Sequence, residues 1–121
     1  MIVDIRTYTI RTGALREFLS LYAREGLAVQ TEHLGAPLGY YTTEVGELGQ
    51  AVHLWRYTDM ADRDRRRAAL EADPRWLDYR TRSASKGHVL RQVNAILREV
   101  DFATFASPDA TAALSRDMSV P

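Results

Sequence analysis

Residues 40–58, YYTTEVGELGQAVHLWRYT, hold two β-rich runs on either side of a short glycine-bounded connection, and this stretch decides the fold. Tyr40 to Val45 and Gln50 to Thr58 are rich in Tyr, Thr, Val and Trp and alternate along the chain, which is the period of a strand. Gly46 to Gly49 suits a hairpin, so the second and third strands are expected to be antiparallel neighbours. Towards the N-terminus, Gly35, Pro37 and Gly39 form a loop, and before it Leu15, Phe18, Leu19, Tyr22, Gly26 and Val29 return every three or four residues. That spacing predicts one face of a helix running to about His33. Thr12 and Gly13 separate this helix from a first alternating strand, Ile2 to Arg11.

Towards the C-terminus, Asp59 or Asp62 can cap a second helix that begins polar and reaches Ala68, Ala69 and Leu70. Asp73 followed by Pro74 is a fresh N-cap with proline at the first helical position, so the helix is expected to stop there and restart through Trp76, Leu77 and Tyr79. Gly87 ends it. His88 to Val100, with Val89, Val93, Ile96 and Leu97, reads as a fourth strand of weaker alternation.

The order β, α, β, β, α, β predicts an α+β, ferredoxin-like βαββαβ fold: a four-stranded antiparallel sheet with both helices on one face. Such a sheet has a bare second face, and a copy of the same chain is the simplest cover, so the fold is expected to pair into a dimeric α/β barrel. Residues 1–100 form the one domain that 121 residues allow, and residues 101–121 form a C-terminal extension, expected to be a lid, an arm or a flexible tail.

Composition narrows the function classes. Sixteen basic residues balance sixteen acidic ones, so the overall field attracts neither nucleic acid nor an anionic membrane. The absence of cysteine excludes a disulfide framework, a thiolate metal site and a cysteine nucleophile, and suits a cytoplasmic location. Met1 to Ile10 alternates and so reads as neither a signal peptide nor a membrane span. Gly46 and Gly49 form no phosphate loop, and the three histidines lie far apart on different elements, unlike a metal motif. Arg63, Arg65, Arg66 and Arg67 interleave with Asp59, Asp62, Asp64 and Glu71 and read as a solvated helix face.

Strand parity separates two faces. Val3, Ile5, Val52 and Leu54 suit the helices. The opposite set is Asp4, Arg6 and Tyr8, then Tyr40, Thr42 and Glu44, then His53, Trp55 and Tyr57, with Gln92, Asn94 and Ile96 from the fourth strand. Rings, an imidazole, a guanidinium and amides on one wall are the mixture of a small-molecule pocket, and they equally suit a filled structural interface. His53 and Arg6 are the candidate catalytic residues, as proton donor or acceptor and as anion stabiliser. Tyr8, Tyr40, Trp55, Tyr57, Glu44 and Asn94 are the candidate substrate contacts, and no residue is assigned to a metal. His33 reads as a polar side chain near helix C-terminal carbonyls, and His88 as a strand-edge residue.

Four blocks carry a family resemblance: MIVDIRTYTI at 1–10, GYYTTEVG at 39–46, VHLWRY at 52–57, and RRRAALEADP at 65–74 followed by Trp76. Together they span about residues 1 to 100, and in order and spacing the chain resembles the NIPSNAP family. The resemblance implies a ferredoxin-like domain of the dimeric α/β-barrel superfamily, which includes cofactor-independent monooxygenases, polyketide cyclases, isomerases and haem-degrading proteins. The expected function is a small-molecule enzyme working without metal or nucleotide cofactor, by cyclisation, isomerisation or cofactor-independent oxygenation of an aromatic or polyketide-like substrate. The alternative is a non-catalytic ligand-binding or dimeric interaction module, with haem binding as a third reading. The expected partners are a second copy of the chain and a small molecule.

Overall fold

A computed structural model describes residues 1–106. Strand β1 (Ile2–Ile10) is followed by helix α1 (Leu15–Leu21), a π-helical turn (Tyr22–Gly26) and helix α2 (Leu27–Leu34), which run on as one rod. Then come β2 (Gly39–Thr42), β3 (Gln50–Tyr57), α3 (Met60–Glu71), α4 (Pro74–Lys86), β4 (Val89–Arg98) and a short 3-10 turn (Phe102–Phe105). The four strands form one sheet in the order β2-β3-β1-β4, and every neighbouring pair is antiparallel. This is the expected ferredoxin-like α+β fold.

Local chemistry sets the element ends. Asp59 caps α3 by accepting from the Asp62 amide at 2.8 Å, while Asp62 turns back to the Thr58 amide at 2.9 Å. Asp73 caps α4 ahead of Pro74, so the second helix is interrupted where the sequence indicates. Gly87 ends α4 in the left-handed conformation at φ 64°, a position that favours glycine.

Register aligns one rung across the whole sheet. Tyr40 lies opposite His53, His53 opposite Arg6, and Arg6 opposite Asn94. The parity set is therefore correct, but its direction is reversed. Asp4, Arg6, His53, Trp55 and Tyr57 are buried under the helices, where Trp55 and Tyr57 pack with Tyr22, Leu34, Leu70, Trp76 and Tyr79. Val3, Ile5, Val52 and Leu54 lie on the opposite face, only half-buried. The physical reason is that the polar set neutralises itself: Asp4 accepts from Arg63 at 3.1 Å and from Arg6 at 3.5 Å. The helices add the rings of Tyr22, Trp76 and Tyr79 beside aliphatic Leu21, Val29, Leu34 and Leu70, and the amphipathic wall is the one they cover.

Two boundaries are also corrected. Strand β2 stops at Thr42, so Glu44 falls in an exposed loop, removed from the wall to which it was assigned. The Thr43 amide still donates to the Gln50 carbonyl at 3.3 Å, and beyond it the glycines at 46 and 49 take positive φ and carry the chain round, so Glu44 lies in the turn. His88 precedes β4, buried at the end of α4. Of the proposed extension, residues 107–121 lie outside the described residues. Among the described residues, no helix is long and apolar enough to cross a membrane.

Candidate functional site

A cavity of about 320 Å³ lies between the sheet and the helices of a single chain. Its sheet wall carries Arg6, Tyr8, Tyr40, His53 and Gln92. The helices close it with Phe18, Tyr22 and Gln30 from the first rod, Arg67 and Glu71 from α3, and Trp76, Tyr79 and Arg80 from α4. Gly87 and His88 line the remaining side. The cavity thus sits on the opposite side of the sheet from the one expected.

Of the candidate residues, Arg6, Tyr8, Tyr40 and His53 meet at this wall. Tyr40 stacks on the His53 ring at 4.6 Å between centroids, and Tyr8 meets it edge-on at 4.9 Å. Trp55 lies behind His53, fully buried, and its indole Nε1–H donates to His53 Nδ1 at 2.6 Å. Asn94 stands beside Arg6; with its amide oxygen turned inward it accepts from the guanidinium at 3.0 Å. Tyr57 belongs to the packed core and does not line the cavity. Glu44 contributes nothing here.

Electrostatics give each polar group a definite state. Burial works against the Arg6 charge, yet Tyr8 and Asp4 outweigh it and hold the guanidinium above its ordinary value. Burial lowers His53 to about 3, with Arg6 and Arg67 adding to the depression, so the imidazole is neutral near pH 7. An indole is a donor only, so His53 Nδ1 must accept and its proton resides on Nε2. Burial pushes the Tyr79 hydroxyl up to about 12 and raises those of Tyr22 and Tyr40 as well. These hydroxyls therefore stay protonated. Three arginines line the cavity against one carboxylate, Glu71, which is already held by Arg67 at 3.2 Å and by Arg80.

The unsatisfied groups point to a ligand class. Arg6 Nε, His53 Nε2 and Trp76 Nε1 are buried donors with no hydrogen-bond partner among the described residues. Each such orphan costs about 1–3 kcal/mol, and acceptor oxygens would recover it. The arrangement can hold an oxygen-rich, anionic, partly aromatic molecule. It does not fit haem ligation by His53, because a metal-bound imidazole donates through its second nitrogen, whereas Trp55 obliges that nitrogen to accept. Among the described residues, no group of acidic and imidazole side chains could hold a metal ion.

Sequence reading missed the helix half of the site. Tyr22, Trp76 and Tyr79 lie on helical faces that read as ordinary core. In the arginine run, Arg63 and Arg67 sit one helical turn apart and both turn inward, Arg63 to Asp4 and Arg67 to the cavity. Arg65 stays exposed. That i, i+4 pair was the available signal. Gly26 was read only as part of a helical stripe; a Cβ there would lie 2.8 Å from Tyr22 and 3.0 Å from Tyr79, so glycine is what lets both rings approach.

Comparison with known proteins gives a consistent picture. The NIPSNAP family model matches residues 3–104. Mouse NipSnap homolog 3B is 31% identical over 74 residues, a match covering 60% of this chain and 29% of the mouse protein. A solved NIPSNAP-like domain protein from Burkholderia xenovorans is 44% identical with a TM-score of 0.76, covering 84% of this chain and 86% of its own. A solved antibiotic biosynthesis monooxygenase, 20% identical with a TM-score of 0.55 over 84% of this chain and 100% of its own, shares the fold.

Proposed function

We propose, from the premise that the chain belongs to the NIPSNAP family, that it is a small-molecule enzyme of cytoplasmic metabolism working inside the cavity between sheet and helices. Its substrate is an aromatic or polyketide-like molecule with acidic oxygens. Its chemistry is proton transfer, in cyclisation or isomerisation, without metal or nucleotide cofactor; cofactor-independent oxygenation would use the same anion stabilisation. One observation carries this reading: a buried cation, Arg6, and a neutral imidazole donor, His53, stand side by side on the rung that lines the cavity. Arg6 would hold the developing oxyanion, His53 Nε2–H would donate to it, and Tyr8, Tyr40 and Trp76 would enclose the ring. Asn94 would steady Arg6.

The testing experiment is calorimetric titration with aromatic keto acids, phenylpyruvate first. The expected result is saturable binding to the wild type, weakened at least about tenfold in Arg6→Ala and His53→Ala, since a charge-assisted hydrogen bond contributes roughly 1.5–3 kcal/mol. Undiminished binding in both variants would remove the assigned roles. A non-catalytic binding module is the second reading, favoured by one observation. None of the sheet residues assigned above offers a free proton acceptor, because Trp55 occupies His53 Nδ1.

The bare sheet face carries Val3, Ile5, Val52 and Leu54 with Val93, Ala95 and Leu97 from β4. Val93 is 46% exposed and Leu97 is 50% exposed, and a second copy of the chain is the proposed cover.

A further inference from the structure

His53 supplies a donor, and a proton-transfer site also needs an acceptor. Glu71 is neutralised by two arginines, and the tyrosine hydroxyls are held protonated. His88 is the remaining basic group on the wall. It is 1% exposed, follows directly on the Gly87 cap, and meets Phe18 edge-on at 6.4 Å. Its Nε2 lies 3.4 Å from Oε2 of Glu17, an exposed carboxylate that also lies 3.9 Å from Lys86 Nζ. Its Nδ1 is buried and has no hydrogen-bond partner among the described residues.

Resting on the pocket reading above, we propose that His88 is the proton acceptor of this site, oriented by Glu17 so that Nε2 carries its proton and Nδ1 keeps its lone pair. The two ring nitrogens flank Cε1 and their in-plane directions diverge, so a carboxylate beside one favours the proton there and leaves the other nitrogen its lone pair. His53 and His88 thus share one tautomer but differ in what they leave unpaired. His53 has Nδ1 occupied and a free Nε2–H donor; His88 has Nε2 turned to Glu17 and a free Nδ1 acceptor. One imidazole thus offers a donor and the other an acceptor, the two functions that enolate formation needs.

The step balances without an oxidant. A C–H bond beside a carbonyl breaks, its proton passes to His88 Nδ1, and the electron pair moves onto the carbonyl oxygen. That enolate is held by Arg6 and His53 Nε2–H. Return of the proton from His88 to the enolate oxygen completes a keto–enol tautomerisation, an isomerisation with no change of oxidation state. The substrate class is therefore an enolisable aromatic keto acid or β-dicarbonyl compound. Glu17 is a positioning residue, since it touches His88 and not the cavity.

The test uses the full chain labelled with 15N-histidine, with phenylpyruvate as probe. Long-range 1H–15N spectra near neutral pH are expected to show His88 unprotonated at Nδ1 and protonated at Nε2, and Glu17→Gln is expected to scramble that tautomer while leaving His53 unchanged. In D2O the wild type is expected to accelerate hydrogen exchange at the probe's C3, with a loss of at least about 100-fold in His88→Gln, the usual contribution of a positioned base. A wild-type Nδ1–H tautomer, or equal exchange in His88→Gln and wild type, would overturn the assignment. If phenylpyruvate at millimolar concentration left the His53 signals unmoved, the pocket reading itself would fall, and this inference with it. His53 thus reports on the pocket, and His88 on the base.

Discussion

The Trp55 indole donates to Nδ1 of His53 across two positions of the same strand, at 2.6 Å, with both side chains buried on the helix side of the sheet. Period-2 alternation puts residues i and i+2 on one face, so the pair is prescribed by the strand itself. The consequence is a donor-only indole dictating the proton position of an imidazole that no water-facing group can correct.

Trp55→Phe keeps an aromatic ring, smaller than the indole, and removes the donor. The expected result is a mixed His53 tautomer in 15N spectra and a stability loss of about 1–3 kcal/mol in urea denaturation, because Nδ1 is left buried and unpaired. An unchanged single Nε2–H tautomer would show that something else orients the imidazole.

Acid sensitivity follows from the same residue. Burial lowers His53 from 6.5 to about 3, so between those values the unfolded chain binds a proton that the folded chain refuses. Its stability contribution is complete above the unfolded value and is lost as pH falls towards the folded one, at a slope of up to about 1.4 kcal/mol per pH unit. Urea midpoints measured in steps from neutral to about pH 5 should fall more steeply in the wild type than in His53→Gln. Equal slopes would mean that His53 does not drive the acid response.

Gly26→Ala tests the close approach of the helices. Helix propensity favours alanine by about 1 kcal/mol, but the new Cβ would lie 2.8 Å from Tyr22 and 3.0 Å from Tyr79. Overpacking of this kind costs about 1–3 kcal/mol, so a net loss of stability is expected, together with weaker phenylpyruvate binding as both rings are displaced. A more stable variant with unchanged binding would show that the rings yield freely.

Dimerisation can be tested where the chain is already exposed. Val93→Glu places a carboxylate on the open sheet face with little effect on the folded protomer, and is expected to convert a dimeric wild type to monomer in size-exclusion chromatography with light scattering. A wild type that is monomeric at micromolar concentration would remove the proposed partner.

The elements and their order were legible because each depends on local chemistry: alternation in Gln50–Tyr57, the Asp73–Pro74 restart, and Gly87 at the end of α4. Arg6, His53, Tyr8 and Tyr40 were legible as neighbours because parity and antiparallel pairing place them on one wall. Glu44 was misplaced because a strand end depends on where the hairpin begins to turn. Trp76, Tyr79 and Arg67 were not legible as site residues, because helical spacing marks an inward face without saying whether it meets packed core or cavity, and His88 was not because a connection between elements carries no periodicity to orient it.

What the sequence by itself determined, then, is the βαββαβ order and the division of the strand residues into two faces, while the rung from Tyr40 to Asn94 came from the register of the folded sheet. Only the tertiary structure decided which face the helices cover. Alternation is symmetric between the two sides of a sheet, and the choice rested on long-range partners: Arg63 from α3 neutralising Asp4, and the rings of α4 and the π-helical turn packing against the polar wall.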